Sequence, residues 1–128
     1  MPTSSNKKRK VLRTEAYIAS ERKALKPYQL SQQATHTAIN SLAEGEPQGD
    51  VYPGITPALR KVRLPLSEYK IGKSGGLRLL FMISEKLFLP VFLYFKGQFA
   101  HEHEIKKAVR EQLKKVLAEM SASSKPNY

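Results

Sequence analysis

The spacing of apolar residues changes period twice along the chain, from helical to alternating and back to helical. Between Thr14 and Lys26, the spacing of Tyr17, Glu21, Ala24 and Leu25 allows a helix that ends at Pro27. A second helix follows, capped by Ser31, with Leu30, Ala34, Ala38 and Leu42 on one face and Gly45 and Pro47 closing it. Gly45 to Pro57 is rich in glycine and proline and is predicted as turns. Three strands are predicted next. Leu59–Leu64 sets Arg60, Val62 and Leu64 against Lys61 and Arg63. Leu77–Ile83 sets Leu77, Leu79, Phe81 and Ile83 against Arg78, Leu80 and Met82. Leu87–Lys96 sets Val91, Leu93 and Phe95 against Phe92, Tyr94 and Lys96, with Pro90 marking a late start or a bulge. Ser84-Glu85-Lys86 is the expected hairpin connection.

Ile105, Ala108, Val109, Gln112, Leu113, Val116, Leu117 and Met120 then recur at i, i+3, i+4, i+7, which predicts an amphipathic C-terminal helix. Glu102 and Glu104 fall at its N-terminus, where the helix dipole favours acids. With a short first strand at Lys10–Arg13, the expected order is β-α-α-β-β-β-α. This is an α+β fold with two N-terminal helices packed on one face of a small, mostly antiparallel sheet, plus a C-terminal helix.

The length of 128 residues bounds this to one domain, expected at 10–120 between a disordered basic tail at 1–9 and a flexible polar tail at 121–128. A composition of 41% hydrophobic residues excludes a wholly disordered chain, and the absence of cysteine excludes disulfides, thiolate zinc sites and a cysteine nucleophile. The basic run Lys7-Lys8-Arg9-Lys10 leads into Val11-Leu12 and then Arg13, so an export segment's stretch of roughly 7–15 apolar residues is missing. The longest apolar run, Leu87–Phe95, contains Pro90 and is far shorter than the ~20 residues of a spanning helix. A cytoplasmic location without a membrane partner is expected.

The net charge of +11 points to a polyanionic partner. Its distribution is more informative than its size. Five basic residues are assigned to the N-terminal tail (Lys7, Lys8, Arg9, Lys10, Arg13). Six lie between positions 58 and 78 (Arg60, Lys61, Arg63, Lys70, Lys73, Arg78), with Glu68 as their single acidic companion. Packing the Leu77–Ile83 apolar face on the helices leaves the strand's other face open. Lys61, Arg63, Arg78, Tyr94 and Lys96 then share one concave surface. Cations with a phenol suit a phosphodiester, since guanidinium forks match phosphate oxygens and such donors stabilise charge developing in a transition state. There is no acidic cluster for metal-dependent nuclease chemistry, but RNA carries its own nucleophile, the 2′-hydroxyl. A binding surface without chemistry would present the same pattern.

Other motifs carry less. Gly72-Lys73-Ser74 lacks the glycine that a P-loop has five residues earlier, where this chain has Ser67. His101 and His103 have metal-like spacing but sit among Glu102 and Glu104 at a helix start, and read as a solvated helix end. His36 reads as a surface residue. No metal or other cofactor is expected.

The series Gly49-Asp50-Val51-Tyr52-Pro53-Gly54, Leu59-Arg60-Lys61-Val62-Arg63 and Gly72-Lys73-Ser74-Gly75-Gly76-Leu77-Arg78, followed by Tyr94-Phe95-Lys96, resembles the RelE/HigB type of bacterial toxins over roughly residues 30 to 118. The resemblance implies the small RelE-like fold. It also implies cleavage of mRNA in the ribosomal A site, and a cognate antitoxin, often a helix-turn-helix protein, that neutralises the toxin. By position it implies Lys61, Arg63, Lys73, Arg78, Tyr94 and Lys96 as catalytic residues and Arg60 as an RNA contact, to which Lys70 and the Lys7, Lys8, Arg9, Lys10 run add basic charge. Phe81 stands where the family often has tyrosine, and Gly97-Gln98 replaces Asn-Glu, which leaves Tyr94 as the leading general acid or base.

Three functions are open to such a chain. The first is a metal-independent, ribosome-dependent endoribonuclease of a type II toxin–antitoxin system. The second is a catalytically silent binder on the same scaffold that blocks ribosome, RNA or a topoisomerase. The third is a general basic nucleic-acid-binding protein.

Overall fold

The computed structural model describes residues 8–64 and 76–123. Strand β1 (Lys10–Val11) leads into helix α1 (Glu15–Leu25), a 3-10 turn at Lys26–Tyr28 and helix α2 (Gln33–Leu42). Strands β2 (Asp50–Tyr52), β3 (Leu59–Leu64), β4 (Leu77–Ile83) and β5 (Leu87–Phe95) follow, then a 3-10 turn at Lys96–Gln98 and helix α3 (Glu102–Ser123). The five strands form one sheet in the order β1-β5-β4-β3-β2, antiparallel except where β1 runs parallel to β5. The fold is α+β, as the hydrophobic patterning predicts.

Local chemistry accounts for the element ends. The Thr14 side chain accepts from the Tyr17 N–H at 3.1 Å and caps α1. Ser31 does not cap α2: the cap position is Gln32, without a side-chain hydrogen bond, and Ser31 instead accepts from the Ala34 N–H through its carbonyl. The region read as turns contains a strand, Asp50–Tyr52, too short for alternation to reveal. Gly49 admits it. Its φ is +86°, and a Cβ there would stand 2.6 Å from the Lys61 carbonyl oxygen, so only glycine lets the chain approach β3 this closely. The Ser84–Lys86 hairpin closes as expected, with the Leu87 N–H donating to Ser84 Oγ at 3.2 Å. Helix α3 runs to Ser123, past the boundary expected at 121.

The sheet separates two cores. On one face Leu77, Leu79, Phe81 and Leu93 pack against Tyr17, Ala24 and Leu25 of α1 and Ile39 of α2. This is the helical pair in its expected place. The opposite face is not open, as the alternation argument supposed. Leu59, Leu80, Leu89, Val91 and Phe92 face that way, and the α3 stripe Ile105, Val109, Leu113 and Val116 covers them, because so much apolar surface has to leave water. The β4–β5 register shifts at Leu80/Phe81, where Phe81 pairs with Pro90 and Leu80 with Phe92. Val91 is therefore a bulge residue beside the proline that cannot donate to the ladder. It turns to the α3 face with Phe92 and Tyr94, not to the Leu93 face as strict alternation predicts.

The bulge also seats α3. Gln112 Nε2 donates to the Val91 carbonyl at 2.9 Å and to the Ala16 carbonyl at 2.8 Å. Further along α3, the Glu119 carboxylate accepts from the Glu15 and Ala16 N–H groups, both at 2.8 Å, and satisfies the start of α1. Both ties set where α3 begins on the sheet, and so where its cover stops.

Candidate functional site

The cover stops short of one corner. In register across three strands, Arg63 of β3 faces Arg78 of β4, and Arg78 faces Tyr94 of β5. This row lies beside the first turn of α3, in a cleft of about 920 Å³ lined on that side by Lys61, Asp50, Glu102 and Ile105 and continuing past β3 to Ala38, Ser41 and Leu42 of α2. The floor is dry and fixed, since Arg78 is 6% exposed and Tyr94 2%. Arg78 donates from one guanidinium nitrogen to the Gly76 carbonyl at 2.7 Å. The Tyr94 ring stacks on Phe92 at 5.4 Å between centroids and meets Phe99 edge-on at 6.0 Å. Arg63 and Glu102 stand at the exposed rim, with Lys61 half-buried.

Two residues not expected at the site take part in it: Glu102 lines the cleft and Tyr52 contacts Glu102. Tyr52, 3% exposed, donates its hydroxyl to Glu102 Oε2 at 3.2 Å, and the Lys61 ammonium lies over its ring, 5.6 Å from the centroid. Burial pushes the Tyr52 phenol well above the usual tyrosine range, and the Glu102 charge, Tyr94 and the hydrogen bond to Glu102 add to that rise. The Tyr94 phenol is raised as well, first by burial and then by the Glu102 charge, against the pull of Arg78. Both phenols are therefore donors at neutral pH. Glu102 carried a sequence signal. It precedes Ile105 by three residues and Val109 by seven, so it heads the buried stripe of α3 on the side nearest the sheet, while staying exposed at the rim. Tyr52 had none, because three residues of β2 show no period.

The expected site residues divide into groups. Lys61, Arg63, Arg78 and Tyr94 come together in the cleft. Arg60 points to the other face, where its guanidinium donates to the Gly49 carbonyl at 2.9 Å. Lys96 opens the 3-10 turn beyond β5 and does not extend the strand as expected. Lys7, Lys70 and Lys73 lie outside the described residues.

The basic residues before the first strand belong elsewhere. The Lys8 backbone pairs with that of Glu44 in an isolated antiparallel β-bridge, and the Arg9 guanidinium donates to the carbonyls of Ser84, Ala43 and Gly45. Positions 8 and 9 are thus held by the fold, and do not belong to the disordered tail expected through residue 9. Lys10 pairs beside Leu87, at the opposite end of β5 from Tyr94 and about 23 Å away at the usual strand rise. Arg13 is not a tail charge either, for it lies 3.6 Å from the buried Glu21.

His101 and His103 are exposed and stack on each other at 5.4 Å, at the helix start where they were expected. Glu104 accepts from the Ala100 and His101 N–H groups at 3.0 and 3.1 Å, which holds its carboxyl below the usual range. Among the described residues, no three His, Asp or Glu side chains group as a metal site. Nor, among the described residues, is any helix long and apolar enough to cross a membrane.

Chemically, the cleft offers two guanidinium groups and an ammonium for an anion, a fixed protonated phenol, and two carboxylates, Asp50 and Glu102, as proton acceptors. No family model matches the chain, and no curated protein matches it.

Proposed function

We propose that the protein is a metal-independent endoribonuclease that cuts mRNA in the ribosomal A site and so stops translation, as the toxin of a type II toxin–antitoxin pair. The observation that carries this reading is the cross-strand row Arg63–Arg78–Tyr94 on the floor and rim of an open cleft. The guanidinium of Arg78 is desolvated before substrate arrives, and donors fixed in that way are worth most to a phosphorane-like transition state. Arg63 and Lys61 hold the non-bridging phosphate oxygens. The 2′-oxygen attacks phosphorus, the bond to the 5′-oxygen breaks, and Tyr94 gives its proton to the leaving oxygen. Arg78 beside it steadies the phenolate that forms. The products are a 2′,3′-cyclic phosphate and a 5′-hydroxyl.

The resemblance of the Gly49–Gly54, Leu59–Arg63 and Gly72–Arg78 segments to RelE/HigB toxins supports the same reading, as does an α+β fold with two helices on one sheet face. It brings a cytoplasmic location, the ribosome as a partner and a cognate antitoxin, of the helix-turn-helix kind, as parts of the proposal.

The test is a reconstituted translation reaction with mRNA 5′ ends mapped. Codon-phased cuts that need ribosomes, and that vanish in the Arg78→Ala, Tyr94→Phe double variant, are the expected result. Intact mRNA under full translational arrest would transfer the cleft to the silent-binder reading.

A further inference from the structure

We infer that Glu102 is the group that accepts the proton of the RNA 2′-hydroxyl in this cleft, with Tyr52 as the positioning residue for its carboxylate; the role rests on the cleavage reading above.

A negative charge in a cleft that binds phosphate works against binding. The helix dipole favours an acid in this turn, but Glu104 already supplies one, accepting from the Ala100 and His101 N–H groups just before the helix. Among the described residues Glu102 is in no ion pair: it lies exposed on the cleft wall and accepts from the Tyr52 hydroxyl at 3.2 Å. That hydroxyl comes from a residue 3% exposed, on a strand locked to β3, so the carboxylate is aimed by a rigid donor and keeps lone pairs for a further hydrogen.

The alternatives in the cleft are poorer acceptors. Lys61 and Arg63 present only donors. Tyr94 is held protonated, which suits the opposite role. Both histidines of the helix start lie outside the cleft lining. Among the described lining residues, Asp50 is the other carboxylate. It is exposed, opposite Lys61 in register, with no buried donor aiming it. Glu102 is also the carboxylate whose charge reaches the Tyr94 phenol.

The step balances. The 2′-hydroxyl proton passes to Glu102 as the 2′-oxygen bonds to phosphorus. The bond from phosphorus to the 5′-oxygen breaks, and Tyr94 supplies that oxygen's proton. Glu102, now carboxylic acid, and the Tyr94 phenolate return to their starting states through one net proton transfer.

The experiment compares wild-type protein, Glu102→Gln, Asp50→Asn, Tyr52→Phe and Glu111→Gln. It measures single-turnover cleavage of mRNA on programmed ribosomes and, separately, affinity for them. Glu102→Gln is expected to cleave roughly 10²–10⁴-fold more slowly while binding as tightly as wild type or tighter, because a repelling charge has gone. Tyr52→Phe keeps the carboxylate and the ring. It is expected to lose roughly tenfold in rate, the worth of one hydrogen bond, and it serves as the second arm if Glu102→Gln folds poorly. Glu111→Gln, an equal charge change further along α3, is expected to leave the rate unchanged.

Cleavage by Glu102→Gln within about threefold of wild type, or a large loss in Asp50→Asn alone, overturns the assignment and leaves the endoribonuclease reading standing. Wild-type protein that makes no cuts overturns that reading, and this role with it.

Discussion

The protein builds a tyrosine–glutamate–arginine grouping on each face of its sheet, and the two are opposite in character. Under α1 and α2, the Tyr17 hydroxyl and Thr35 Oγ1 each donate to Glu21 Oε2 at 2.8 Å, and Arg13 lies 3.6 Å away. Glu21 has no exposed surface, and burial with the Glu21 charge pushes the Tyr17 phenol well up. Under α3, the Tyr52 hydroxyl meets Glu102, with Tyr94 and Arg78 beside it, but this group borders a cleft of about 920 Å³. The same side-chain chemistry is a structural clamp where helices seal it and a candidate site where the helix stops short. Solvent access, and not residue type, separates the two.

Breaking the sealed group should have the largest effect. Glu21→Ala leaves the largely buried Arg13 guanidinium without its partner and is expected to cost about 3–5 kcal/mol of unfolding free energy in urea denaturation. A loss below about 1 kcal/mol would show that the clamp is not what stabilises that face. In the open group the effect moves from stability to rate. Arg78→Ala is expected to slow mRNA cleavage by about 10³-fold, with a smaller change in urea midpoint than Glu21→Ala. A variant that unfolds as readily as Glu21→Ala would place Arg78 with the structural residues.

Tyr94→Phe sharpens the contrast further, because the ring packing on Phe92 and Phe99 is kept and only the hydroxyl is lost. The expected result is a cleavage rate about 10²-fold lower with the melting temperature nearly unchanged. Its pH dependence follows from burial. A phenol raised above its ordinary value of 10.0 stays protonated at neutral pH, and a general acid fails only as pH climbs through its own pKa. Wild-type cleavage should therefore show no Tyr94-dependent decline between about pH 7 and 9. A fall in that interval that is absent from Tyr94→Phe would mean that the phenol loses its proton early. The smallest effect is expected at the far end of β5. Lys10→Ala should change ribosome binding by no more than about twofold at 0.15 M salt, since an exposed charge about 23 Å from Tyr94 at the usual strand rise is screened.

Much of this arrangement is legible in the sequence. Alternation in Leu59–Leu64 and Leu77–Ile83 places Lys61, Arg63 and Arg78 on one face, because a period of two leaves a strand only two sides. The stripe from Ile105 to Met120 announces a helix that must bury one side. What that helix covers is not written in any local period. The sheet's second face looked open until α3 filled it, and α3 is placed by the Val91 carbonyl freed at the Pro90 bulge and by Glu119 reaching the start of α1. Those partners lie 21 and about 104 residues apart, beyond any window in which hydrophobic spacing is read.

The sequence by itself therefore determined the α+β class, the order of the main elements and the cationic face carried by β3 and β4, all consequences of short-range periodicity. Tertiary structure decided which part of that face remains in water, that Glu102 and Tyr52 meet there, and that Arg13 leaves the tail for the core. Each of these depends on long-range contacts, and the physical reason is burial. Apolar surface on both sides of the sheet must be covered, and the charged corner left over is the one that α3 is not positioned to reach.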